Sequence, residues 1–191
     1  MIFDIDKNEK KLKVEMKSLI WVYLLMFIVL KCLPSNAFAE SSYVLPYPSA
    51  MPGNIFYKLN LIKEEILKYW YFGDFGQFHF NLKRSDKYLV EAKTLFDYKQ
   101  YLLALLALQK SDKYFGKIYP NLLSAKNKGK KLAEKETIFK EAAKKHIEEL
   151  TKLKSSVPSV FAWTPERELP TNLKLWESID TSILLRRAPR L

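Results

Sequence analysis

The chain has a single cysteine in 191 residues, Cys32, which excludes a disulfide framework, a thiolate zinc site and a CxxC redox pair. Histidine is nearly as scarce. His79 and His146, far apart in sequence, leave little for a histidine metal centre. Glycine occurs only 5 times, against an abundance of Lys, Leu, Ala and Glu, so helix is favoured over a turn-rich all-β fold. There is no GxGxxG or GxxxxGK[ST] phosphate loop, and neither HExxH nor GxSxG occurs. These absences predict a protein that carries no cofactor and no catalytic residues, and so is not an enzyme.

What is present is a globular composition, 48% hydrophobic and 28% charged. Leu19–Leu30 is a run of 12 apolar residues, preceded by Lys17 and followed by Pro34 and the small-x-small triplet Ala37-Phe38-Ala39. That layout is a secretory signal peptide, and cleavage after Ala39 would leave Glu40 first. The run is shorter than the about 20 residues that span a bilayer. The alternative is an uncleaved anchor, in which residues 17–33 associate with the membrane and Lys7, Lys10, Lys11, Lys13 and Lys17 stay inside. Met1 and Met16 are both open as the start. Cys32 follows Lys31 rather than the small residues of a lipoprotein box, and is read as part of the leader. The six lysines and four acidic residues of 1–39 leave the following 152 residues a surplus of +9. Three regions result: 1–39 as extension plus signal, 40–158 as a helical bundle domain, and 159–191 as a proline-containing tail.

Pro46, Pro48 and Pro52 forbid helix over 43–53 and predict an extended strap, packed on the domain by Tyr43, Leu45, Tyr47 and Met51. Asn54 suits the N-cap of a helix over about 55–72, with Ile55, Leu59, Ile62, Ile66 and Tyr69 on one face, and Gly73 can end it in the left-handed conformation. Asp74 with Gln77 reads as a capping box for a second helix, about 75–97. Its seam of Phe75, Phe78, Leu82, Ser85, Leu89, Ala92 and Phe96 steps by three and four. Asp97 with Gln100 repeats the arrangement and opens a third helix, about 99–127, antiparallel to the second. Its run Tyr101–Leu108 is apolar on all faces and is expected to be the most buried stretch, and Pro120 is expected to kink or end it. A fourth helix, about 131–155, carries Leu132, Phe139, Ala142, Ala143, His146, Leu150 and Leu153. The fold class expected is therefore all-α: an antiparallel bundle of about four helices, with an N-terminal Pro-rich strap and an irregular C-terminal tail holding at most one short helix near 172–185. Arg84-Ser85-Asp86-Lys87-Tyr88 resembles Lys110-Ser111-Asp112-Lys113-Tyr114, 26 positions later; two copies are too few for a solenoid and read as coincidence.

In the cytosol so basic a domain would suggest nucleic acid, but an export signal removes that partner. What remains is an anionic envelope surface or an envelope protein. Lys126, Lys128, Lys130 and Lys131 cluster without acids in the sequence and form a candidate basic patch, as do Arg186, Arg187 and Arg190. Tyr69, Trp70, Tyr71 and Phe72 are consecutive aromatics at the end of the first helix. They point in all directions, so some face outward as a candidate interaction surface. The function read from this is a non-catalytic extracytoplasmic domain that mediates protein or envelope interaction. The alternative is a metal-binding or hydrolytic envelope protein using His79 and His146 with a carboxylate such as Glu149.

Tyr43-Val44-Leu45-Pro46-Tyr47-Pro48, Met51-Pro52-Gly53, Ile55-Phe56-Tyr57-Lys58-Leu59, His146-Ile147-Glu148-Glu149-Leu150 and Val157-Pro158, in that order behind a signal, resemble the bacterial domain of unknown function 5667 family over roughly 43–158. The resemblance implies an exported or membrane-tethered helical domain. The family has no assigned activity, so no site residue follows from it. The tail departs from the family pattern, which continues in helix after the Val-Pro.

Overall fold

Asn54 caps the first helix with its side chain, Oδ1 accepting from the Phe56 amide at 2.9 Å, and α1 runs Ile55–Lys68. The structure is a computed structural model describing residues 41–49, 51–166 and 169–187; the expected signal or anchor, Cys32 and Arg190 lie outside the described residues. Gly73 takes the left-handed conformation at φ +71°, and α2 spans Gly73–Asp97. The expected capping box does not form there. Gln77 instead turns back, donating to the carbonyls of Tyr71 at 2.7 Å and Lys68 at 3.3 Å, while Asp74 is taken by groups from later in the chain. Gly76 is required for this close return, since a Cβ at that position would lie 2.9 Å from the Tyr71 backbone.

The second expected capping box also fails, for a different reason. The chain reverses through Lys99 at φ +59°, with the Gln100 amide donating to the Leu95 carbonyl and the Lys99 amide to that of Phe96, both at 2.9 Å. That is a Schellman closure of the α2 C-terminus, and it keeps Asp97 inside α2, so the N-cap of the next helix falls on Gln100, which makes no side-chain cap. The next helix, α3, covers Tyr101–Phe115. It stops at Gly116 and restarts as α4, Ile118–Asn127, so that Pro120 sits in a first turn, where its missing N–H costs nothing. The single helix expected over 99–127 is thus two.

The expected seam of α2 is buried from Phe78 through Phe96, with Phe75 half-buried. The apolar run Tyr101–Leu108 behaves otherwise than expected. Ala104, Ala107 and Leu108 face α2, but Leu103 and Leu106 are exposed and Leu102 and Leu105 only half-buried. Small alanines at the contact let α2 and α3 approach closely, and the bulky leucines are left on the outside.

Helix α5, Ala133–Ser156, buries Phe139, Ala142, Ala143, His146, Leu150 and Leu153. Beyond it the expected irregular tail is ordered. Strand β1, Val160–Trp163, pairs antiparallel with β2, Thr171–Lys174, in the register Val160↔Lys174 to Trp163↔Thr171, and α6 follows as Leu175–Arg187. Pro165 and Pro170 fall outside the two strands, where they remove no ladder hydrogen bond. Leu175 and Ile179 of α6 are fully buried. The described chain is thus mainly helical with one small sheet.

Two apolar cores result. One joins Leu89, Leu95 and Phe96 of α2 to Tyr101 and Leu108 of α3, Leu150 and Leu153 of α5, and Leu175, Ile179 and Ile183 of α6. The other joins Phe78 and Leu82 to Phe115, Ile118, Leu122 and Phe139. Along α2, α3 and α5 alike, a polar residue lies between the two: Ser85 and Asp86, Ser111 and Asp112, and His146.

Candidate functional site

That polar layer is centred on Arg186, 1% exposed. Its Nε donates to His146 Nδ1 at 3.1 Å, Nη1 to Asp112 Oδ1 at 2.5 Å and to the Ser182 carbonyl at 2.9 Å, and Nη2 to Ser111 Oγ at 2.8 Å. A guanidinium only donates, so Nδ1 of neutral His146 is an acceptor and Nε2 carries the proton given to Asp86 Oδ1 at 2.7 Å. Tyr43 donates its hydroxyl to the same carboxylate at 2.6 Å, tying the proline-rich segment to α2. Burial lowers the pKa of His146 against the opposing pull of Asp86. The ring has no exposed surface, both nitrogens are occupied, and it is a structural group.

The two histidines are not brought to a common partner. His79 is exposed at the start of α2, edge-on to Phe78, and its charged neighbours are Glu134 and Lys135. Glu149 pairs with Lys93, Lys145 and Lys152. Among the described residues no group of three or more His, Cys, Asp or Glu is arranged to hold a metal ion.

The candidate basic patch is half neutralised by a carboxylate that is distant in sequence. Asp74 accepts from Lys128 at 2.8 Å, Lys130 at 2.9 Å and Ser124 at 2.8 Å, which holds its carboxyl well below the usual range. Lys126 and Lys131 are exposed. In the second expected cluster, Arg186 is the buried partner of Asp112 rather than a surface cation.

The open surface lies on α1, whose amphipathicity is inverted. Its protein-facing side is anchored by polar contacts, with Leu61 and Leu67 half-buried beside them. Tyr57 donates to Glu91 Oε1 at 2.9 Å, and Glu64 accepts from Lys87 and Arg84 and, at 3.0 Å, from the Tyr88 hydroxyl. Its outer side is the apolar stripe: Ile55 is 73% exposed and Ile62 60%, with Leu59 and Ile66 similarly bare. The aromatic turn extends the stripe, with Trp70 76% and Phe72 82% exposed and Tyr69 also outward. Tyr71 alone of the four turns in, its ring 5.5 Å from that of Phe80. The stripe was legible as one helix face; its outward direction was not, because the anchors of the inner side, Glu64 and Tyr57, find their partners 20 to 34 positions away.

A shallow apolar groove of about 500 Å³ runs along this face beside Leu59, Ile62, Ile66 and Trp70, bordered by Lys63. Next to it, a second pocket of about 300 Å³ opens between Tyr47, α1 and α2, lined by Lys63, Lys83, Arg84 and Lys87. Lys63 belongs to both. Among the described residues no helix is long and apolar enough to cross a membrane. No family model, curated protein or solved structure matches this chain.

Proposed function

We propose that this is a non-catalytic, extracytoplasmic interaction domain, exported or tethered through residues 17–39 and docking in the cell envelope through the outer face of α1. The observation that carries the reading is the exposed stripe Ile55, Leu59, Ile62, Ile66 continued by Tyr69, Trp70 and Phe72. A helix that turns its polar side inward and its apolar side to solvent leaves its hydrophobic burial to a partner. The scaffold in this reading is an antiparallel bundle of about four helices clamped by the proline-rich strap, as Tyr43 on Asp86 and the packing of Leu45 and Met51 support. The resemblance to the domain of unknown function 5667 family points the same way.

The test is site-specific photocrosslinking in producing cells, with the photoreactive residue at position 59, 66 or 70 and, as control, at the exposed Lys140 of α5. Envelope adducts from the first three positions and none from the control support docking. Unmodified protein from all four positions overturns it. N-terminal sequencing of the envelope-recovered chain reads the export route, Glu40 first for a cleaved signal.

A further inference from the structure

We infer that the partner of the α1 face is the surface of a bilayer containing anionic phospholipid; the inference rests on the docking reading above and names what docks. The first support is the order of chemistry across the face. The apolar groove along Leu59, Ile62, Ile66 and Trp70 lies beside the pocket lined by Lys63, Lys83, Arg84, Lys87 and Glu64, in which Glu64 pairs with Arg84 and Lys87 while Lys63 and Lys83 are exposed, and the two share Lys63. An apolar slot next to a cationic pocket matches an amphiphile with a negative headgroup. An apolar protein surface would need the slot but not the lysines.

The second support is the flanking of the stripe. Lys58 and Lys63, both exposed, fall on opposite borders of it at helical spacing, the arrangement that lets an interfacial helix lie flat with its lysines at headgroup level. Tyr69, Trp70 and Phe72 then supply the aromatics characteristic of that depth. The third support is geometric. The 14 residues of α1 make a face about 21 Å long and one helix wide, small against the roughly 800 Å² per partner of a stable protein interface. A bilayer needs no such area, because the tether supplies the effective concentration. The run Leu19–Leu30, read as signal or anchor, is separated from Ile55 by 24 residues. Since Tyr43 is tied to Asp86, only the 12 residues 31–42 span from the run to the domain, a reach of at most about 43 Å.

The experiment uses the full chain with Cys32→Ser, spin-labelled at Ile62→Cys, Ile66→Cys or, as control, Lys140→Cys. It is reconstituted with vesicles of phosphatidylcholine alone or mixed with phosphatidylglycerol. The local depth readout is independent of any tethering by residues 17–33. On anionic vesicles the labels at 62 and 66 should gain collisions with oxygen and lose them with an aqueous nickel complex, while the label at 140 stays aqueous. Lys58→Gln and Lys63→Gln should each lower the docked-to-free ratio roughly fivefold. If 62 and 66 stay as water-accessible as 140 on both vesicle types, the lipid inference is overturned. Spin–spin coupling between the 62 labels of two chains would also overturn it, in favour of a second copy, and would leave the docking reading standing. The crosslinking test above decides that reading separately. Positions 58, 62, 63, 66 and 140 are exposed, and an unchanged melting temperature certifies the fold.

Discussion

Ser85 and Ser111 hold the same position in two copies of one five-residue pattern, and they touch. Their hydroxyl oxygens are 3.3 Å apart, and Ser111 Oγ donates to the Ser85 carbonyl at 2.8 Å. The following aspartates, Asp86 and Asp112, serve His146 and Arg186 respectively, and Tyr88 and Tyr114 stack with centroids 5.7 Å apart and planes 9° from parallel. The echo between residues 84–88 and 110–114 therefore has a spatial meaning that its sequence spacing does not reveal. Antiparallel α2 and α3 place two like segments side by side at the polar layer.

The serines are not equivalent. Ser111 Oγ also accepts from Arg186, so Ser111→Ala strips a buried guanidinium of an acceptor and should cost about 1–3 kcal/mol. Ser85→Ala loses only the hydroxyl contact and should cost about 1 kcal/mol or less. Urea unfolding of the two variants checks the order; equal or reversed losses would refute the assignment.

Arg186 and Asp112 form a buried pair, and breaking one side strands the other charge. Arg186→Met should destabilise by about 3–5 kcal/mol. The double variant Arg186→Met/Asp112→Leu should lose clearly less than the sum of the two single changes, as a double-mutant cycle will read. Strict additivity would show that the pair is not coupled.

His146 makes the fold sensitive to mild acid. The groups facing it are Asp86, Arg186 and Asp112, and burial leads in lowering its pKa from the ordinary 6.5. Its folded pKa lies below the unfolded one, so the stability it confers is fully present above pH 6.5 and is lost as pH falls through the lowered value. The limiting slope in that window is about 1.4 kcal/mol per pH unit. His146→Gln keeps an uncharged donor and should flatten the pH profile of the urea midpoint just below 6.5, at some cost in absolute stability. A wild-type midpoint flat from 6.5 down to the carboxylate range would contradict this.

Helix α1 should come away from the core before the core melts. Burial works to raise the Glu64 pKa, but Lys87 and Arg84 prevail and hold it below its ordinary 4.5. Its contribution is thus complete above pH 4.5 and is lost on acidification through the lowered value. Glu64→Gln mimics that loss at neutral pH. Hydrogen exchange should show faster amides in 55–68 and unchanged amides in 86–96 for this variant. Uniform acceleration would mean that α1 is part of one cooperative unit.

The outer face of α1 should be thermodynamically silent in the isolated protein. Ile62→Glu, at an exposed position, should change stability by less than about 0.5 kcal/mol, whereas Leu150→Ala, fully buried, should cost about 2–5 kcal/mol. Thermal melts of both decide it; a large loss for Ile62→Glu would place that side chain in a contact.

What could be read from the sequence was local. The α2 seam was legible because steps of three and four leave one solution, and the Asn54 cap because its donor is two residues away. The short helix expected near 172–185 is α6, Leu175–Arg187, but the C-terminal hairpin before it was not legible. Prolines 165 and 170 read as breakers, while their placement just outside the strands depends on a pairing across the loop. The arginine at the centre of the polar layer was invisible for a related reason: the bonds of Arg186 to His146, Asp112 and Ser111 join residues 40 to 75 positions apart, with no periodicity to betray them. The failed capping boxes show that a correct spacing loses when the would-be cap is used elsewhere: Asp97 ends α2, and Asp74 is held by distant lysines.

Arg186 also sets a clock. It is synthesised 74 residues after Asp112, 40 after His146 and 100 after Asp86, yet all three are arranged around it. A nascent chain that has made α2, α3 and α5 but not α6 holds two carboxylates and an imidazole whose burial has no cation to balance it. Such an intermediate is better solvated than packed. Balanced burial of the polar layer therefore waits until α6 has been made.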